Sequence, residues 1–266
     1  MKPLRALALA TLAALSFSAH AVGSLANVSV YDRAAQRELP VYWHEGRAYV
    51  VGRPGNEYQV TVRNRAGEDL LAVVAVDGIN VMSGETATPR QSGYIVSRGE
   101  RVAIRGWRKS MEEIASFYFT SLGDSYASRT GRPDNVGVIG VALFKRKPQY
   151  DPQPWSNAVP EPFGETRQKR SEKPMGDSSR ESRGQSLESH APSIAPAPSA
   201  PLGTGHGGRE SAPIRWVQFE RSTYDPVETV TIHYDSYRNL VALGVLQSPV
   251  ARDPQPFPGF AADPPR

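Results

Sequence analysis

Hydrophobic and polar positions follow the two-residue period of β-strands through most of residues 26–144. In YQVTVRN (58–64), apolar residues alternate with polar ones, which is typical of a strand with one buried face. LLAVVAV (70–76) and NVGVIGVALF (135–144) are instead apolar on both faces. Short strands of this kind suit a position with cover on both sides, so the two runs predict the centre of a sheet that is covered on each face.

Turn signals separate these runs at short intervals. Asp77-Gly78 is the strongest, because both central positions of a two-residue hairpin turn need a positive φ, which Asp and Gly tolerate. We therefore interpret LLAVVAVDGINVMSG (70–84) as a deep hairpin, and Asp77 as a turn residue that belongs to no site. The further strands predicted in this part of the chain are 26–31, 39–44, 47–52, 92–97, 101–107 and 115–121.

The spacing of the strands predicts the fold class. Roughly nine short strands, about 8–12 residues apart, are typical of an all-β protein, and here we predict an antiparallel β-sandwich over residues 22–147. A long amphipathic helical window is absent from the sequence. Only two brief helical turns are predicted, one at Ser110-Met111-Glu112-Glu113 and one that Asp124 caps and Gly131 closes.

The composition changes at Pro148. Residues 148–201 are rich in Pro, Ser and charged residues and predict a disordered linker. Residues 202–247 predict a C-terminal β segment that opens with GTGHGG as a flexible hinge. Two or three strands of this size are not stable alone, so we expect the segment to dock on the sandwich. Its predicted strands are 214–221, 226–236 and 239–246, and a Pro-rich tail follows at 248–266.

The first 21 residues have the three parts of a secretory signal peptide. Lys2 and Arg5 give a basic start, residues 7–17 an apolar stretch, and Ala19-His20-Ala21 a cleavage site. The chain has no cysteine, and therefore neither a disulfide nor a cysteine for lipid attachment. We expect an exported protein, periplasmic or extracellular, that is not a lipoprotein and has no transmembrane segment.

Charge and motifs argue against several function classes. The formal net charge is +4, and Lys2 and Arg5 account for two of those charges. Most of the remaining excess lies in 145–183, and no basic stripe of the kind that binds nucleic acid is present, so nucleic acid is not an expected partner. The sequence has no G-x-S-x-G motif and no cysteine nucleophile. We predict no catalytic residues and lean towards a protein that is not an enzyme.

Two clusters are candidates for ligand binding. Trp107, flanked by Arg105 and Arg108, has the composition of a sugar- or anion-binding surface, and GTGHGGRE places His206 and Arg209 where glycine allows close approach to an anion. A carbohydrate- or anion-binding module is therefore an alternative function. In the other interpretation, Trp107 is a partly buried aromatic at a strand end and the glycines form a hinge.

A metal site is a further alternative. His233 and Asp235 are two residues apart on one predicted strand, so they share a face, and His206 lies in the same segment. These three residues would suit a small metal-dependent hydrolase. The opposing interpretation is a solvated strand face and a loop histidine, and we expect no cofactor.

A Pro-aromatic motif occurs twice. DPQPW (151–155) and VPEPFG (159–164) are echoed by DPQPF (253–257) and PGF (258–260). Extended Pro-rich segments with aromatic residues bind aromatic grooves or sheet edges of partner proteins, or pack on their own domain. The aromatic residues of this tail motif are Trp155, Phe163, Phe257 and Phe260.

Several stretches together resemble a family of uncharacterised exported proteins of Gram-negative bacteria. They are VDGINVMSG, GYIVSRGERVAIRGWRKS, DSYASRTGRPDNVGVIGVALF, GTGHGGRE and IHYDSYRNLVALGVL, and they cover most of 56–146 and 203–246. In that family a sandwich-like region and a GTGHG-led C-terminal segment occur in one chain. The resemblance implies an envelope setting and a pairing of the two segments, but no activity and no site residues.

The leading functional hypothesis combines these expectations. It is a non-enzymatic exported β-sandwich protein with a binding or structural role in the periplasm or cell envelope, where its partner would be another protein.

Overall fold

The computed structural model of the protein describes residues 21–148 and 199–247. Nearly all of the predicted signal peptide, linker and tail lies outside these residues. The described part contains fourteen strands, two short α-helices and one 3₁₀ turn. In chain order they are β1 (Ala26–Asp32), β2 (Arg37–Glu38), β3 (Tyr42–His44), β4 (Arg47–Val51), β5 (Glu57–Asn64), β6 (Leu70–Val76), β7 (Ile79–Asn80), β8 (Tyr94–Val96), β9 (Arg101–Ile104), β10 (Gly106–Arg108), β11 (Glu113–Ser121), α1 (Tyr126–Arg129), the 3₁₀ turn (Pro133–Asn135), β12 (Val138–Lys145), β13 (Leu202–Ser211), β14 (Glu228–Asp235) and α2 (Tyr237–Ala242).

The strands form two sheets that pack against each other, which confirms the predicted β-sandwich. In sheet A, β1 pairs with β2 and β5, β5 with β9 and β11, and β11 with β10 and β13. Sheet B has the order β3-β4-β14-β12-β6, and β6 also pairs with β7 and β8. Apolar side chains from the inner faces of both sheets, among them Val60, Phe117, Val74 and Val141, form one buried core.

The C-terminal strands belong to both sheets, as the predicted docking requires. β13 runs antiparallel to β11 along the whole of that strand. β14 lies inside sheet B, antiparallel to β12 on one side and parallel to β4 on the other. The parallel pair is the exception to the predicted antiparallel pattern. It arises because β4 and β14 are far apart in sequence and no hairpin constrains their direction.

The two runs that are apolar on both faces form β6 and β12, which pair in the middle of sheet B. Their inner faces join the main core, and their outer faces form a second buried cluster of Leu71, Val73, Ala142 and Phe144. Ile95 and Phe219 pack on that cluster. The predicted cover on both faces is therefore present, and residue 219 of the C-terminal segment supplies part of it.

The sequence patterns misassigned several short elements. Residues 239–246 are not a strand. Their first four residues, 239–242, belong to α2, and the Ser236 hydroxyl caps this helix by accepting the Asn239 N–H. Residues 110–112 form a bend and no helix. The Ser110 hydroxyl accepts the N–H groups of Glu112 and of Glu113, the first residue of β11. The cap of α1 is Ser125, and Asp124 does not cap it.

The glycine-rich GTGHGG is a strand and not a hinge. A Cβ added to Gly205 would lie 2.2 Å from the Tyr118 ring, and one added to Gly207 would lie 2.3 Å from the Ser116 hydroxyl. Both neighbours are on β11, the strand with which β13 pairs. The absence of side chains at these positions lets residues of β11 lie over the backbone of β13, so the glycines serve close packing.

Asp77 has a second role beyond its turn. The Asp77-Gly78 turn forms as predicted, with φ values of +53° and +72°. The Asp77 carboxylate is buried, and it accepts the Thr204 N–H at 2.7 Å, the Tyr234 hydroxyl at 2.5 Å and the Gly137 N–H at 3.0 Å. One side chain of the β6–β7 hairpin is thus bonded to both C-terminal strands.

Two further hydroxyl contacts continue this network into the core. The hydroxyl oxygens of Tyr234 and Thr204 lie 2.6 Å apart, and those of Thr204 and Tyr58 also lie 2.6 Å apart. Because Tyr234 gives its proton to Asp77, Thr204 donates to Tyr234 and Tyr58 donates to Thr204. Burial raises the pKa of Tyr58 and of Tyr234 well above the ordinary value, so both phenols stay protonated.

The environment of Asp77 also affects its protonation. Burial raises the pKa of its carboxyl from 3.8 to about 6, although the bonds from Tyr234, Thr204 and Gly137 favour the charged form. The folded protein therefore holds this proton more tightly than the unfolded chain does, and ionisation of Asp77 makes folding less favourable.

We expect Asp77→Asn to remove a pH-dependent part of the stability. The wild-type carboxyl titrates near 3.8 in the unfolded chain and near about 6 in the folded protein. Between about pH 4 and about pH 7, the unfolding free energy of the wild type relative to the variant should therefore fall by about 2 kcal/mol. Urea unfolding of both proteins at the two pH values measures this change.

Tyr234→Phe is the matched variant for this measurement. It removes one donor but keeps the carboxylate, so it should lower stability and still show the decline with pH. A constant difference between wild type and Asp77→Asn over the whole pH range would contradict a raised Asp77 pKa.

Candidate functional site

The residues predicted to bind a sugar do not form an open platform. The Trp107 side chain is only 2% exposed, and its ring packs edge-on against Phe117 at 4.7 Å and obliquely against Tyr126 at 4.8 Å. A ring in this position has no free face for a ligand. Trp107 is therefore a core residue, buried more completely than the partly buried aromatic of the alternative interpretation.

The arginines around Trp107 hold the C-terminal segment instead of converging on a pocket. Arg105 donates to the Ser211 carbonyl at 3.2 Å, and Arg108 donates to the Ala212 carbonyl and to the Tyr94 hydroxyl. Arg209 pairs with the Glu113 carboxylate at 2.9 Å. These bonds fasten the end of β13 and the residues that follow it.

His206 lies beside this region, against two aromatic rings. Its ring centroid is 5.3 Å from that of Tyr126 and 6.3 Å from that of Trp107. Burial lowers the pKa of His206, and the positive charge of Lys109 lowers it further. The imidazole is therefore largely neutral at neutral pH.

The structure does not bring the three predicted metal ligands together. His206 is on β13 in sheet A, whereas His233 and Asp235 are on β14 in sheet B. His233 lies against the Tyr49 ring at 5.2 Å, and Asp235 accepts the N–H groups of Leu202 at 3.1 Å and Ser236 at 2.6 Å. Within residues 21–148 and 199–247, no group of three His, Cys, Asp or Glu is placed to hold a metal ion.

The aromatic residues of the predicted tail motif lie outside the described residues; they are Trp155, Phe163, Phe257 and Phe260.

A stretch with no regular secondary structure makes the most distinctive surface. We call residues 212–222 the strap. Its first part is fixed by N–H groups of Ala212 and Ile214, which donate to carbonyls of Glu112 and Met111 at 2.6 and 2.9 Å. Its last part is fixed by the Ser222 N–H, which donates to the Lys145 carbonyl at 3.0 Å. The strand predicted at 214–221 is absent because these bonds hold only the ends.

One side of the strap covers the outer face of sheet B. Phe219 packs on the second buried cluster, and the Arg146 guanidinium lies 4.6 Å from the Phe219 ring centroid. The Arg221 guanidinium lies 4.2 Å from the Phe144 ring centroid and donates to three backbone carbonyls. Both contacts combine cation–π attraction with burial of aromatic surface.

The other side of the strap is apolar and exposed. Trp216 is 72% exposed and Val217 is 53% exposed. Residues 215–219 make no backbone–backbone hydrogen bond within the described part of the chain. The Gln218 carbonyl accepts the Arg146 guanidinium at 3.3 Å. A stretch whose other N–H and C=O groups make no backbone hydrogen bond, beside a large exposed indole, is a surface that an extended chain can pair with.

A groove of about 560 Å³ lies between the strap and β8. We call it the strap groove. Its lining includes Tyr94, Ile95, Trp216 and Phe219 as apolar surface. Among the described residues, four arginines line it but only one carboxylate, Asp69, so its charge is positive. The arginines are Arg90, Arg146, Arg215 and Arg221.

The sequence patterns give only a weak indication of the strap groove. Trp216 lay in a predicted strand, where a single aromatic residue carries no functional signal. Adjacent apolar residues, Trp216 and Val217, were a weak sign, because on a strand with one buried face one of the two must be exposed.

Comparisons with protein-family models, with curated proteins and with solved structures find no significant match to this chain. The resemblance to exported proteins of Gram-negative bacteria therefore stays a prediction. No helix in the described ranges is long and apolar enough to cross a membrane.

We expect the two sides of the strap to differ in their contribution to stability. Phe219→Ala should lower the unfolding free energy by roughly 2 kcal/mol, because it uncovers part of the second cluster. Trp216→Ala removes an exposed ring and should change it by less than about 0.5 kcal/mol. Urea unfolding of both variants measures the difference, and equal losses would show that the strap does not lie on sheet B in this orientation.

Proposed function

We propose that the protein is a non-enzymatic, exported β-sandwich that binds an extended segment of another protein in the periplasm or cell envelope. The observation that carries the proposal is the exposed Trp216-Val217 pair beside the strap groove, within residues 215–219, which make no backbone–backbone hydrogen bond in the described part of the chain. The export part of the proposal is supported by the signal-peptide pattern in residues 1–21.

The mode of binding follows from the geometry of the strap. A partner strand beside residues 215–219 would satisfy the N–H and C=O groups that make no hydrogen bond within the described residues, and its alternate side chains would reach the groove and the solvent. Exposed tryptophan is among the residues that contribute most to the energy of protein interfaces when a partner covers it. Trp216 is therefore the expected centre of the contact.

The charge of the strap groove sets the type of partner. Four arginines and one aspartate line it, so acidic side chains on the partner would be attracted and basic ones repelled. The favoured partner is an extended segment that carries apolar residues and carboxylates.

The two alternative functions have less support. The carbohydrate- or anion-binding module predicted at Trp107 needed an accessible indole, which is buried, and the metal-dependent hydrolase needed His206, His233 and Asp235 at one place, whereas they lie on two sheets. The residues predicted for these two functions therefore do not form either site.

Site-specific photocrosslinking tests the proposal. A photoreactive phenylalanine analogue is placed at residue 216 of the exported full-length protein, or at residue 43 as a control. Trp43 is also exposed, at 57%, but lies on β3 at the other edge of sheet B. We expect a protein crosslink from position 216 that is absent from position 43.

The purified partner then gives a quantitative readout. Trp216→Ala should weaken its binding by roughly tenfold or more, whereas Trp43→Ala should leave binding unchanged. Failure of position 216 to crosslink any protein, or an equal loss in both variants, would rule out the strap as the binding surface.

A further inference from the structure

A second pocket lies at one end of sheet A. It has a volume of about 520 Å³ and forms where the loop 65–69 meets the turn 97–100. Three arginines line it, and none of its lining residues is acidic. The arginines are Arg63, Arg65 and Arg98. It shares no lining residue with the strap groove.

Carboxylates close in sequence make other contacts or face solvent. Glu68 pairs with Lys145 at 3.1 Å, and Asp69 pairs with Arg146 at 3.4 Å and also accepts the Arg98 backbone N–H at 3.3 Å. Glu100, the acidic residue of the turn 97–100, is exposed. Within the described residues, none of the three pocket arginine side chains has a carboxylate partner within 4.0 Å. Arg101 adds positive charge nearby, because it lies opposite Arg63 in the pairing of β9 with β5. Like charges that converge in this way create a positive potential that attracts an anion.

The backbone around the pocket is held by a buried asparagine. The Asn64 side-chain amide donates to the carbonyls of Glu68 and Val96, both at 2.8 Å, and its oxygen accepts the Ala66 N–H at 2.7 Å. Asn64 is 2% exposed. The Asn64 side chain thus joins the loop 65–69 to β8, the strand that precedes the turn 97–100. The backbone positions of the pocket arginines are therefore fixed without a ligand.

Backbone donors add to the arginines. The N–H groups of Gly67 and Gly99 donate to no protein acceptor in the described part of the chain. Both residues line the pocket, and both are open to solvent. Arginine guanidinium groups match phosphate oxygens in pairs, and backbone N–H groups are the usual complement at such sites.

We infer that this arginine pocket binds a phosphate-type anion. The same chemistry is present in a phospholipid headgroup and in a soluble phosphate compound. The inference does not depend on the proposed protein partner, because the two surfaces have no residue in common.

Two binding measurements on the full-length protein distinguish the sources. Calorimetric titration with inorganic pyrophosphate tests the soluble anion, and co-sedimentation with phosphatidylglycerol vesicles in a phosphatidylcholine background tests the headgroup. We expect binding in at least one measurement, with an affinity that falls as salt rises because charges are being paired in water.

The double variant Arg63→Gln/Arg98→Gln should weaken that binding by roughly tenfold or more. Arg37→Gln is the control. It removes one positive charge from β2, which pairs with the last residues of β1, whereas the pocket residue Asn27 lies near the start of β1. All three residues are exposed, so the variants should remain folded, which circular dichroism checks. Absence of binding in both measurements, or equal binding by the wild type and the double variant, would overturn the inference.

Discussion

A single buried carboxylate joins parts of the chain that are far apart in sequence. Asp77 accepts the Thr204 N–H and the Tyr234 hydroxyl, 127 and 157 residues further on. A buried charge is tolerated only when its hydrogen bonds are complete, and removal of one donor leaves a costly unpaired group. The hydrogen bonds of Asp77 therefore fix β13 and β14 together relative to the β6–β7 hairpin. Burial raises the pKa of Asp77 even with these donors in place, so the charged carboxylate is less favourable in the folded protein than in water.

The C-terminal segment 199–247 completes the sandwich in three ways. β14 fills the place between β4 and β12, which would otherwise be two open strand edges in sheet B. β13 extends sheet A beside β11, and the strap covers the outer face of β6 and β12. The second buried cluster exists because of that cover. Folding and the strap surface are thus linked, since the residues that hold the strap on sheet B also leave Trp216 and Val217 exposed on its other side.

Local patterns predicted the centre of the fold and missed what depends on distant contacts. The apolar runs of β6 and β12 and the Asp77-Gly78 turn are visible in sequence because burial on two faces and positive φ restrict residue type directly. The strand at 202–211 was hidden, because glycine normally marks loops and its use here is explained only by side chains of β11. Residues 239–246 fit a strand or a helix equally as a short apolar run, and Ser236 was the capping signal that separates the two. The strap groove could not be predicted, since its lining comes from segments that only the fold brings together.

If residues 199–247 are part of the sandwich, the protein should survive a cut in the stretch between its two described parts. For this measurement a specific protease site is inserted between Gly176 and Asp177. After cleavage, both fragments should elute together from a sizing column at the volume of the uncut protein, and they should separate only in denaturant. Separation of the fragments under native conditions, with an N-terminal fragment that still unfolds cooperatively, would show that β13 and β14 are not needed to complete the two sheets.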